Sequence, residues 1–276
     1  MYYSLNQKSD LIILDDPISS FDSNKKYAII NRIFENRTDG KSLYGKTVLM
    51  LTHDFEPIID FIINSKPNSG HAIAKYIKNT KGIIEEKEIN KENDIVSILK
   101  LCYKYSVSEI NIISRINFLR KYMEHINMEG REDINLAYDI LSSLIHGKIR
   151  PTKKISRDEE VKLTPEEINR AESYIRRFIE DFNYDVLLKN KYTKENLLNE
   201  FFMENNNYIK SQIFRVYLEI TNKRETLKDD NLLKFIDEIY HIENDYIFSL
   251  DLIEFDTIPD YIMTKIEDYM SHEPEK

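Results

Sequence analysis

Glycine, cysteine and tryptophan are what this chain has least of: six glycines, one cysteine and no tryptophan in 276 residues. So little glycine excludes a loop-dominated or collagen-like fold. The single cysteine, Cys102, excludes a disulfide framework, and a reducing compartment such as the cytoplasm is expected. No apolar run approaches the roughly twenty residues of a membrane span, and the amino terminus lacks a signal-peptide pattern. Positive charge is also short: 39 Lys and Arg face 48 Asp and Glu, a net charge of −9. That balance argues against nucleic-acid binding over the whole surface and leaves room only for a local basic patch. What is present is the composition of a globular chain, 41% hydrophobic and 32% charged, long enough for two modest domains.

The most informative stretch is Leu11-Ile12-Ile13-Leu14-Asp15-Asp16-Pro17-Ile18-Ser19-Ser20-Phe21-Asp22. Four apolar residues in a row predict a strand buried on both faces, as in a parallel sheet. Two carboxylates then stand at its carboxyl end, where open α/β sheets place their ligands. Such a strand can hold Mg²⁺ beside a nucleotide phosphate, with Asp15 on the metal and Asp16 orienting the attacking water. The competing reading is a buried strand that ends in an Asp-Pro turn. A second apolar run, Thr47-Val48-Leu49-Met50-Leu51, leads into Thr52-His53-Asp54.

Taken together, Leu-Asp-Asp-Pro-x-Ser-Ser-Phe-Asp and the later strand with Thr-His-Asp resemble the ABC-class ATPases. More narrowly, they resemble the bacterial AAA-family ATPases related to anticodon nucleases, in which Asp-Asp replaces the usual Asp-Glu. The resemblance covers about the first fifth of the chain. It implies a Walker B pair at Asp15 and Asp16, a D-loop at Ser19, Ser20, Phe21 and Asp22, and a switch histidine at His53 contacting the γ-phosphate. It also implies ATP and Mg²⁺ as ligands and a second ATPase lobe as partner, with Ser20 and Asp22 facing that lobe. Asp16 is shorter than the commoner Glu, which shortens its reach to the attacking water.

Along the chain, Asp22 or Ser23 can cap a helix from Asn24 towards Asn36. Residues 36–45 read as a loop, and Asp54 as the cap of a helix containing Phe55, Ile58, Ile59, Phe61 and Ile62. His71–Lys78 and Ile83–Ile89 predict two strands joined across Asn79-Thr80-Lys81-Gly82. From about Asn93 onward, helical spacing dominates, interrupted at Gly130, Gly147–Pro151, Asn205–Asn207 and Pro259. The expected fold class is therefore α/β followed by all-α. Residues 1–92 would form the carboxyl-terminal part of an ABC-type P-loop NTPase lobe, and residues 93–276 a helical domain. Thr164-Pro165-Glu166-Glu167 reads as a helix start: capping threonine, proline in the first helical position, acids in the first turn.

Gly40-Lys41-Ser42-Leu43-Tyr44-Gly45-Lys46-Thr47 has the written form of a Walker A loop, G-x4-G-K-[ST]. That loop must leave a strand and open a helix so that helix amides face the phosphates. Here a helix precedes and a strand follows, so it is an ordinary loop. A signature loop of the Leu-Ser-Gly-Gly type is missing as well. The expectation is a fragment of a longer ATPase, one half of a split enzyme completed by a Walker A-bearing half, or a degenerate, non-catalytic interaction module.

In the helical half, Arg120-x3-Glu124 with His146 and Arg215-x3-Glu219 with His241 share one spacing. Arg and Glu at i and i+4 share a helix face, and a surface ion pair is the simplest reading. In the anticodon-nuclease-like ATPases, an Arg-x3-Glu with a downstream His is a proposed metal-independent ribonuclease centre. The resemblance thus implies an RNA or tRNA partner and an output in phage defence. Glu and His would trade protons with the ribose 2′-OH and the leaving oxygen, while Arg stabilised the phosphorane. Sequence does not choose between the two sets. The Tyr and Phe residues at helical spacing read as core rather than as a base-stacking platform.

Overall fold

The computed structural model describes residues 9–18, 23–34, 42–43, 45–55, 58–59, 61–62, 73–80, 82–90, 92–127, 130–156, 159–240, 248–255 and 258–272. The chain is mixed α/β in its first part and mainly helical afterwards. It divides into two compact units, residues 1–96 with 246–251, and residues 97–245 with 252–276. The first boundary falls four residues beyond the expected one, and the chain later returns to the first unit for a short segment.

In the first unit, strands β1 (Ile12–Asp15) and β2 (Val48–Leu51) pair in parallel, with Ile12 opposite Val48 and Asp15 opposite Leu51. Helix α1 (Ser23–Phe34) joins them, the crossover that parallel strands require. Ile29, Ile33 and Phe34 from α1 pack on Ile12, Leu14, Val48 and Leu43, the core of this layer. The strand is not buried on both faces. Alternation sends Leu11, Ile13, Leu49 and Leu51 outward, where they are exposed, because the described helix covers only the inner face. Described residues of the Gly/Lys match lead straight into β2, so no helix opens there.

Strands β3 (Lys75–Thr80) and β4 (Ile83–Glu88) form an antiparallel hairpin whose last pair is Thr80 with Ile83. The first strand thus runs two residues further than its sequence suggested. Gly82, at φ +89°, takes the left-handed turn position that favours glycine, and its N–H donates to Asn79 Oδ1 at 3.0 Å. Strand β5 (Ile95–Ser97) pairs with β8 (Phe248–Leu250), and the Asp251 N–H donates to the Asp94 carbonyl at 3.0 Å.

The second unit contains helices α2 (Ile98–Val107), α3 (Ile112–Ile126), α4 (Glu132–Ile145), α5 (Pro165–Ile175), α6 (Tyr184–Asn190), α7 (Lys194–Met203), α8 (Asn207–Ile220), α9 (Asp230–Tyr240) and α10 (Asp260–His272). α2 packs on α3, α3 on α4, and α4 on α5, while α8 contacts α3, α7 and α10. α8 is the hub: Ile213, Phe214, Val216 and Tyr217 are fully buried. The expected start of α5 is present, with Thr164 Oγ1 accepting from the Glu167 N–H and the Glu167 carboxylate accepting from the Thr164 N–H.

A small antiparallel hairpin, β6 (Thr152–Lys154) with β7 (Glu160–Lys162), lies against α4. Asp139 on α4 sits half-buried beside it. Burial pushes its carboxyl up to about 6; Lys153 opposes the shift and Glu160 adds to it. The folded chain therefore holds this proton more tightly than the unfolded one, so stability falls as pH rises from about 4 to about 6. Asp139→Asn should then raise stability at pH 7.5 by about 1 kcal/mol, a value discounted for the group's partial exposure, and give no gain at pH 4. Urea unfolding of both proteins at the two pH values measures the difference.

Candidate functional site

Two groups of predicted residues are described well enough to place. The first lies at the carboxyl ends of β1 and β2. Asp16 leaves β1 with φ +45°, a left-handed conformation that aspartate tolerates better than most residues. Its N–H donates to the Leu51 carbonyl at 2.8 Å, carrying the strand pairing one residue past the sheet. Thr52 Oγ1 donates to Asp16 Oδ1 at 3.3 Å and accepts from the Asp54 N–H at 3.1 Å. His53 Nδ1 lies 3.1 Å from Asp16 Oδ2, with 76% of the imidazole side chain exposed. Parallel pairing of two strands separated by more than thirty residues thus puts the acid and the histidine side by side.

Asp54 does something the sequence did not suggest: its carboxylate is engaged by Lys26 of α1, and both side chains are largely buried. The turn carrying His53 is thereby tied to the helix that follows β1. Asp15 is the last residue of β1 and faces outward, exposed, on the same side as Ile13. Ser20 and Asp22 lie outside the described residues, as does His241.

The second group lies in the helical unit, and it crosses the two sequence sets. His146, the C-cap of α4, places Nδ1 3.2 Å from Glu219 Oε2 on α8. Glu219 Oε1 accepts from Arg224 Nη1 at 3.0 Å, and Arg215, only 7% exposed, stands one turn earlier on α8. The hydrogen bond with His146 holds the Glu219 carboxyl below its ordinary range despite burial, helped by the charges of His146, Arg224 and Arg215.

Arg120 has other company. Its Nη2 donates to Tyr138 Oη at 2.5 Å, its guanidinium lies 4.7 Å from that ring's centroid, and Glu124 is 3.8 Å away. Tyr138 and His146 stand eight residues apart on α4, about 12 Å along the axis, so Arg120 and His146 occupy different ends of the helix pair. Sequence reasoning missed Lys26, Thr52, Tyr138 and Arg224. Of these only Thr52 had a sequence signal, its place within the Thr-His-Asp run.

Among the described residues, no group of three or more His, Cys, Asp and Glu is placed to hold a metal ion. No helix among them is long and apolar enough to cross a membrane. Cys102 is buried, and burial pushes its thiol up to about 12, so it is not a nucleophile. No family model, characterised protein or solved structure matches the chain.

Proposed function

We propose that the first unit supplies the acidic and γ-phosphate-sensing side of an ABC-class ATPase lobe, acting on Mg-ATP. A Walker A-bearing segment would complete the lobe. The observation that carries this reading is the meeting of Asp16 and His53 at the carboxyl ends of neighbouring parallel strands. Ligands of open α/β sheets sit at that edge.

The residues present fit the ion. Asp15 offers an exposed hard oxygen ligand, and magnesium takes one or two carboxylates when phosphates and water complete its octahedron. A cage of three protein ligands is not required. Asp16 is the held acid, with Thr52 on one oxygen and His53 on the other, so its position relative to an attacking water is set before nucleotide arrives. Its bond to His53 Nδ1 leaves Nε2 available to a terminal phosphate oxygen. Bound Mg²⁺ would neutralise charge on the phosphates.

Paramagnetic Mn²⁺ in place of Mg²⁺ tests this without requiring turnover. With Mn²⁺ and ATP together, the His53 imidazole resonances should broaden more than those of the other histidines. Asp15→Asn should raise the Mn²⁺ concentration needed by about tenfold, the loss of about 1.4 kcal/mol expected for one charge-assisted ligand. Uniform broadening, or none, refutes the proposal.

The contact between His146 and Glu219 favours a second reading for the helical unit, a metal-independent RNA-cleaving centre. Glu219 would fix the imidazole through Nδ1, and Nε2 would take the 2′-OH proton as that oxygen attacks phosphorus. The His146 imidazolium returns that proton to the departing 5′-oxygen, giving a 5′-OH and a 2′,3′-cyclic phosphate. Arg224 and Arg215 supply the cations that a phosphorane needs.

A further inference from the structure

The chain leaves α4 at His146 and runs directly into the β6–β7 hairpin, whose two faces differ in charge. Side chains alternate along both strands. One face carries Pro151, Lys153, Val161 and Leu163; Pro151 and Leu163 are buried, and Lys153 pairs with Glu167. This face meets α4, where the Lys153 charge reaches Asp139. The other face carries Thr152, Lys154, Glu160 and Lys162, with Lys162 across from Thr152 and Lys154 across from Glu160. Lys148 reaches the same face, its Nζ donating to Thr152 Oγ1 at 2.9 Å and to Glu160 Oε2 at 2.5 Å. Exposed Arg150 stands just ahead of β6.

Charge on that second face is unbalanced. Lys148 takes up Glu160, the one acid on it. Exposed Ile155 and Glu159, joined by the Ile155 N–H donating to the Glu159 carbonyl at 2.9 Å, alternate to the opposite side. The next exposed acid along the chain, Glu166, lies in the first turn of α5, past the end of β7. Arg150, Lys154 and Lys162 are exposed and form no ion pair with a described residue. Lys154 and Lys162 are diagonal neighbours across the strands, about 7–8 Å apart at Cβ. Like charges at that separation weaken a hairpin, so the fold gains nothing from collecting them.

We infer that this face, through Arg150, Lys154 and Lys162, binds the phosphodiester backbone of RNA and leads it to the end of α4 that carries His146. The inference rests on the RNA-cleaving reading of His146 and Glu219 and says where that substrate is held. Thr152 is six residues from His146, at most about 20 Å along any chain path, so a few nucleotides span both. The path between them is fixed by hydrogen bonds. The Thr152 N–H donates to Ser143 Oγ at 3.0 Å, the Lys148 N–H to Ser143 O at 3.0 Å, and Tyr184 Oη to Lys148 O at 2.5 Å. Single cations spaced along an exposed ribbon suit a ligand that repeats one negative charge per unit. An anionic membrane fits less well, because Ile155, the apolar side chain at the tip, lies on the side away from the cations.

The test is fluorescence anisotropy of labelled 2′-O-methyl oligo(U), which keeps the backbone charge and cannot be cleaved through its 2′-oxygen. Titrated with the full chain, it should bind saturably, and three neutralised phosphates should give log affinity a slope of about −2 against log salt. Arg150→Gln, Lys154→Gln and Lys162→Gln together should weaken binding roughly a hundredfold or more at about 50 mM salt and remove most of that slope. Lys162→Gln alone should weaken it about five- to tenfold. Lys100→Gln, at an exposed lysine of α2, should change nothing. Absence of saturable binding overturns the inference, and so does equal affinity of the triple variant with its circular dichroism unchanged. Binding of phosphatidylserine vesicles through the same three residues, with the oligonucleotide left unbound, overturns it in favour of a membrane surface. Cleavage of unmodified oligo(U) reads the His146 centre separately. If His146→Ala leaves cleavage unchanged while the triple variant loses binding, the cleavage reading fails and the binding face stands. If His146→Ala abolishes cleavage while the triple variant binds as before, the binding face fails alone.

Discussion

Gly147→Ala should lower the stability of the helical unit by about 3 kcal/mol, a fall of roughly a hundredfold or more in its folding constant. Gly147 ends α4 at φ +61°, with its N–H donating to Leu144 O at 2.9 Å and the Lys148 N–H to Ser143 O at 3.0 Å. This is the Schellman arrangement, and an L side chain in it costs about 1–2 kcal/mol. The second cost is steric. A Cβ at this position would stand 2.8 Å from Ile220 Cγ1 and 3.7 Å from Ile220 Cα, so the ends of α4 and α8 could not approach as they do. Forcing a methyl into a packed junction typically costs 1–3 kcal/mol. Denaturant unfolding followed by far-ultraviolet circular dichroism measures the loss. A change below about 1 kcal/mol would mean that Ile220 moves aside and the junction is soft.

The residues flanking that junction carry the second large effect. If the helical unit cleaves RNA as proposed, His146→Ala should reduce the rate by roughly 10²–10⁴, the usual contribution of a positioned acid or base. Glu219→Gln should reduce it as well, because the amide no longer favours an imidazolium at Nδ1. Glu124→Gln should leave the rate unchanged, since Glu124 stands with Arg120 and Tyr138 instead. Equal losses for Glu124→Gln and Glu219→Gln would return the choice to the original sets. The dyad also has a signature in stability. The Glu219 carboxyl titrates below its ordinary range in the folded chain, so its contribution is present above the unfolded-state value and is lost as pH falls through the folded one.

How much of this could be read in the sequence differs by range of interaction. The β1 strand, the helix after it, the Thr164 start of α5 and the break at Gly147 are local patterns, each specified within a few residues. Their positions in the structure differ from the sequence reading by a residue or two. The relation between His146 and Glu219 spans 73 positions, and no local rule could supply it. Equal spacing of two Arg-Glu-His sets suggested two self-contained groups, whereas packing of α4 on the α8 end joins the histidine of one to the acid of the other. The Tyr and Phe residues at helical spacing read as core, and Tyr103, 49% exposed on α2, is an exception. Helical periodicity shows that α2 has a buried face, but an aromatic residue on the opposite face follows only from what packs beside it. Asp54 reads in the sequence as a helix cap and Lys26 carries no signal of its own, and only the parallel crossover brings the two together.

The short return of the chain to its first unit has a consequence for the order of events during synthesis. β5 has its partner in β8, and the Asp94 carbonyl receives its hydrogen bond from Asp251, some 150 residues later. A ribosome that has released only the first hundred residues has therefore made a unit whose last strand has nothing to pair with. Helices α2 to α9 are made before Asp251, whereas α10, which packs on α8, follows it. The first unit is therefore closed only by the segment 246–251, and the helical unit is completed after it by residues 252–276.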